Sequence, residues 1–166
     1  MSLFGYFIVA RHDRPLTELP SIRRLCTEGQ YDLDPGEACE PRADGEWGFL
    51  QVLGGWGLNV IDLAEETGFP ALSVYVIESA VGIVEADIPG GSWWAACLNP
   101  ADAMRVWDFP AEKAGTVEET TALAVQWAAA AGRTADPEAV AAAVNRYVGP
   151  FGEGVMAFLD GLGFDF

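Results

Sequence analysis

Basic residues are scarce in this chain: nine Lys and Arg stand against 25 Asp and Glu, for a formal net charge of −16. That shortage excludes a phosphate-binding surface, since no basic stripe exists to displace counterions from nucleic acid or to dock on an anionic membrane. Histidine is scarcer still, with His12 alone, and the sequence has no Gly-x-Ser-x-Gly elbow, so a serine or cysteine hydrolase built on a histidine relay is not expected. The three cysteines, Cys26, Cys39 and Cys97, are odd in number and widely spaced, which fits neither a disulfide framework nor a zinc site. They read as reduced thiols, and no metal and no cofactor is expected. There is no basic segment leading into an apolar export signal, and no apolar run approaches the ~20 residues that a membrane span needs. The expectation is a cytoplasmic protein. Lys113 is the only lysine and Ala and Gly abound, a bias that points to a GC-rich bacterial coding sequence.

What is present is apolar mass. Half of the 166 residues are hydrophobic and one fifth are charged, which excludes disorder. A chain of this length reads as a single domain, residues 1–166, in which folding hides roughly 70% of the unfolded surface. The charge is uneven: residues 1–42 hold five arginines and sum to about −2, leaving about −14 on residues 43–166.

Short β-branched and aromatic runs predict strands at Phe4–Ala10, Phe49–Leu53, Leu72–Glu78, Gly82–Ile88 and Ser92–Leu98. Helical spacing and caps predict helices at Thr17–Cys26, at Leu58–Thr67 closed by Gly68, and after the Asn99-Pro100 pair. Three more are expected after Thr116, Asp136 and Pro150. Residues 27–46, rich in Gly, Pro and carboxylates, read as a long acidic loop. Four or five strands followed by consecutive helices imply an α+β fold, with an antiparallel or mixed sheet in the first ~100 residues and the C-terminal helices mainly on one side.

Few residues carry chemistry. Gly55-x-Gly57 after a strand imitates a dinucleotide fingerprint, but Val60 replaces the third small residue and a hairpin follows Glu78, so a plain glycine turn is the better reading. Asp32-Leu33-Asp34-Pro35-Gly36 imitates a calcium loop and fails, with glycine one place early and Ala43 at position 12. Arg11, His12 and Arg14 leave the first strand together, where His12 could act as a base and either arginine could hold an anion. Glu78, Glu85 and Asp87 sit on a predicted hairpin, the last two on one face, where clustered carboxylates can share protons or take a cation. Trp93 and Trp94, adjacent in a strand, point to opposite faces; with so many helices to follow both are expected to be covered, and the alternative leaves one exposed as a stacking platform or interface anchor. The aromatic tail Phe164–Phe166 is expected to dock, on this domain or on a second subunit.

Three functions follow in order. The first is a small, acidic, non-enzymatic protein-binding domain, inhibitor-like or immunity-like, that engages a basic protein partner. The second is an enzyme or small-ligand binder whose cleft joins Arg11, His12 and Arg14 to the acidic hairpin. The third is a homodimer or structural subunit that buries the Trp93–Trp94 strand or the aromatic tail between chains.

Overall fold

The computed structural model describes residues 2–28 and 41–166. Along the chain run β1 (Gly5–Arg11), a 3₁₀ turn (Leu16–Glu18), α1 (Pro20–Glu28), β2 (Arg42–Asp44), β3 (Trp47–Leu53), α2 (Val60–Thr67), β4 (Ala71–Ile77), β5 (Val81–Asp87) and β6 (Trp94–Leu98). Then come α3 (Pro100–Trp107), α4 (Ala111–Ala114), α5 (Val117–Ala130), α6 (Pro137–Val144) and α7 (Glu153–Gly161). The protein is α+β, with one antiparallel sheet of six strands in the order β2-β3-β1-β4-β5-β6.

The strand alternation sorts two cores. Phe7, Val9, Phe49, Val74, Val84 and Trp94 face the C-terminal helices, where Trp127, Val140, Phe158 and Leu162 are wholly enclosed. Each such side chain contributes about 1.5–3 kcal/mol by leaving water. Their neighbours Tyr6, Ile8, Ala10, Leu50 and Val52 point the other way, onto Ile22 and Leu25 of α1 and Val60 and Leu63 of α2. A smaller cluster of Val81, Cys97, Ala103 and Ala114 seats α3 and α4 on that second face. Helices α5, α6 and α7 thus share one face, as the sequence predicts. No helix among the described residues is long and apolar enough to cross a membrane.

Local chemistry explains most element ends. Asn59, Thr116 and Asp136 accept hydrogen bonds from first-turn amides, and Gly68 adopts the left-handed conformation (φ 75°) that closes α2. Asn99 departs from expectation. It is itself left-handed (φ 58°) and caps nothing; its amide donates instead to the Ala80 carbonyl and to Asp102, tying α3 to the β4–β5 turn. Glu78 also differs: it lies in that turn rather than in a strand, with both it and Ser79 at positive φ. Ser79 holds the turn by accepting the Leu3 amide on its hydroxyl and donating its own amide to the Leu3 carbonyl. The predicted loop is shorter than 27–46, because α1 runs to Glu28 and Arg42–Asp44 pairs with Trp47–Phe49 as an edge strand. The calcium-like stretch Asp32–Gly36 and Cys39 lie outside the described residues.

The aromatic tail docks on its own domain. Phe164 is buried against Trp47 (5.3 Å) and Trp127 (6.1 Å) and stacks on Phe166, which meets Phe49. Arg133 fastens it: its guanidinium lies 4.7 Å over the Phe164 ring and donates to the Asp44 carboxylate (2.7 Å), to the Asp44 carbonyl (3.1 Å) and to the Gly163 carbonyl. The Asp165 amide donates to the same Asp44 carboxylate. Phe164→Ala is expected to cost about 3 kcal/mol and Asp44→Ala about 2 kcal/mol, the latter by stripping Arg133 of its acceptors. Thermal melting should fall by roughly 6–12 °C and 4–8 °C respectively, and wild-type melting in both would show that the tail bears no load.

Candidate functional site

Register places three polar side chains of the second sheet face in one line of sight. Ser73 of β4 pairs with Glu85 of β5, and Asp87 lies two residues farther along the same face. Continuing the β5–β6 ladder one residue beyond Ala86↔Trp94 sets Trp93 opposite Asp87. In the other direction Tyr75 pairs with Ile83, and an aromatic ladder runs outward from it. Tyr75 lies 4.8 Å from Tyr6 and 5.2 Å from Trp56, the latter edge-on. From Ile83 to Asp87 the strip is ~13 Å long at the usual rise of a strand.

The tryptophans point to opposite faces as alternation requires, but they are not both covered: Trp94 is buried under the C-terminal helices, while Trp93, outside the cluster that seats α3 and α4 on its face, keeps 49% of its surface open. Trp56, from the glycine turn, keeps 73%. Between these two exposed indoles the carboxylates have no cation. Among the described residues, no Arg, Lys or His lies within ion-pair distance of Glu85 or Asp87. Ser73, between Glu85 and Ile8 in register, is itself buried. Partial burial holds the Glu85 carboxyl above its ordinary pKa. Asp87, 6% exposed, is also raised by burial, against a bond from the Ile88 amide and with help from nearby Glu65.

A second concavity lies at the far end of β1. A cavity of about 450 Å³ opens between the 3₁₀ turn and the β2–β3 edge, lined by His12, Arg14, Leu16, Arg42, Trp47 and Leu50 among others. His12 is largely covered, and its Nδ1 accepts the Arg14 amide at 3.1 Å, with Asp13 3.2 Å from the same nitrogen. A neutral ring serving that amide carries its proton on Nε2. Arg11 does not share the cavity; it pairs with Glu46, a lining carboxylate, and stacks 4.3 Å over Phe69.

The cleft expected to join His12 to the acidic hairpin is therefore not formed. His12 follows the last residue of β1, whereas Glu78 sits in a turn clasped to Leu3 before its first, roughly 20 Å away. Glu85 and Asp87 lie on the far side of β4 from β1. The Gly54–Gly57 turn makes no phosphate cradle either: a Cβ on Gly55 would stand 2.9 Å from Leu25, so this glycine exists to let α1 approach. No group of three metal-ligating side chains converges among the described residues. Cys97 is buried and its thiol is pushed up to about 11, which makes it unreactive. Comparison with protein-family models, with curated proteins and with solved structures finds no match.

Because the folded pKa of Glu85 exceeds its unfolded value, stability associated with this group is present in acid and is lost as pH rises through the folded value. Glu85→Gln is expected to melt at or above the wild-type temperature at pH 7, with the gain shrinking as pH falls through the raised Glu85 value and gone below the ordinary glutamate range. A clearly lower melting temperature at pH 7 would show that the carboxylate is already satisfied within the fold.

Proposed function

We propose that this chain is a non-enzymatic binding domain that captures a basic protein partner on the Glu85–Asp87 strip. The observation that carries this reading is a half-buried and a buried carboxylate, unpaired by any described cation, set between the exposed indoles of Trp93 and Trp56. Leaving such charges uncompensated is costly to a fold, and a lysine or arginine side chain from a partner supplies both the missing charge and the missing donors. Arginine fits best, because its planar group bridges carboxylate oxygens and stacks on indole faces at once. The surrounding −16 charge adds long-range attraction, which raises association rate more than affinity. An inhibitor-like or immunity-like role, in which the domain masks a cationic surface, follows from this chemistry.

Titration with an arginine-rich peptide, followed by calorimetry at several salt concentrations, tests it. Glu85→Gln and Trp93→Ala are each expected to weaken binding by about tenfold, and added salt should weaken the wild type progressively. Glu118→Gln, which removes one exposed charge in the first turn of α5, is the control and should change little. Equal losses in all three variants would mean that net charge, not this strip, attracts the peptide. Affinity should also fall on acidification earlier than an ordinary glutamate would dictate, because the raised carboxyl of Glu85 takes up its proton first.

A further inference from the structure

The cavity beside β2 has the opposite chemistry from the strip. Its walls on the second sheet face are Leu16, Ala43 and Leu50, and at its polar end stand His12 and Arg14. The Arg14 side chain is mostly exposed, and the carboxylate it pairs with among the described residues, Asp13, is a loose 3.9 Å away. The Arg14 amide fixes the His12 ring through Nδ1, so that Nε2 is the nitrogen left to donate. Among the described lining residues the one carboxylate, Glu46, is already held by Arg11. A largely apolar cavity of this size with a few convergent donors is the usual form of a small-molecule site.

We propose that this cavity binds a small apolar carboxylic acid, the acid group received by His12 Nε2–H and the Arg14 guanidinium and the hydrocarbon body by Leu16, Ala43 and Leu50. The chemistry decides the class. A cation would meet the Arg14 guanidinium and a ring N–H instead of acceptors, a sugar would find too few polar groups to replace its water, and a phosphate would leave the apolar walls unused. A monoanion with a flat or compact hydrocarbon body satisfies both ends. Its recognition is independent of the acidic strip, which lies on the other side of β1 and β4.

The probes are 2-naphthoate and its uncharged counterpart 2-naphthylmethanol, titrated into the whole chain at pH 7 and followed by the NMR resonances of the His12 ring and the Leu16 methyls. Naphthoate should shift both sets saturably, and naphthylmethanol should bind at least tenfold more weakly. Arg14→Ala, a change at an exposed side chain, should weaken naphthoate about tenfold; Ala43→Trp, which fills the cavity from the exposed edge strand, should abolish binding. Unchanged melting of both variants would assign those losses to the site. The proposal is overturned if naphthoate produces no saturable shift, if both probes bind alike, or if affinity survives both substitutions. Glu85→Gln should leave naphthoate affinity unaltered, so either result here is read separately from the fate of the strip.

Discussion

The register of the β1–β4–β5 ladder is the constraint from which the rest of the molecule follows. Ile8 pairs with Ser73 and Ser73 with Glu85, while Phe7 pairs with Val74 and Val74 with Val84. A slip of one residue would turn Phe7, Val74 and Val84 away from the C-terminal helices and bring Ser73 and Glu85 into their place. The apolar set therefore enforces the position of the polar set. Glu85 is half-buried because its partners across the sheet are locked by a core on the opposite face. Gly152 shows how tight that lock is: it crosses the Phe7 ring so closely that a Cβ would stand 2.3 Å from it, at a φ of 77° that side chains resist.

The acidic composition becomes less uniform once each carboxylate is assigned a structural use. Asp62, Asp102, Glu118, Glu119, Glu138 and Glu153 occupy first turns of helices, where the amide ends favour negative charge. Asp44 anchors the aromatic tail, Glu46 holds Arg11, and Glu66 accepts from the Ser21 hydroxyl and amide. Glu85 and Asp87 have no such employment. Burial opposes their ionisation and no described cation offsets it, so their retention on β5 costs the fold something. The proposed capture of a basic partner rests on this cost, borne at two neighbouring positions beside an exposed tryptophan, which a solubility coat does not require.

The strands, most of the helix caps and the α+β class are legible in the sequence, because alternation and capping are written over a few neighbouring residues. Thr116 and Asp136 cap as their positions imply, and Trp93 and Trp94 part as alternation requires. What escapes is long-range pairing. Arg42–Asp44 carries no apolar pattern of its own and becomes a strand only because β3 offers it an edge. Asn99 matches a capping signature yet spends its amide on Ala80, nineteen residues earlier. For the candidate site, the residues Glu85, Asp87, Trp93, His12 and Arg14 stand out by type, but their grouping does not. Complementary residue types suggest joining the arginines to the hairpin. The topology instead inserts β1 and β4 between them and hands His12 to the β2–β3 edge.

That separation is itself physically sensible. A positively lined cavity adjoining Glu85 and Asp87 would draw their carboxylates into internal ion pairs, and neither surface would then keep an unsatisfied group to offer. Distance preserves both. Arg11 and Glu46 neutralise each other at the boundary, and Arg133 is spent on Asp44 and the tail, so few cations remain near enough to quench the strip. The scarcity of basic residues thus acts locally as well as globally. With so few cations in the chain, and the paired ones committed to structural contacts, the carboxylates of β5 meet no described cation of their own fold.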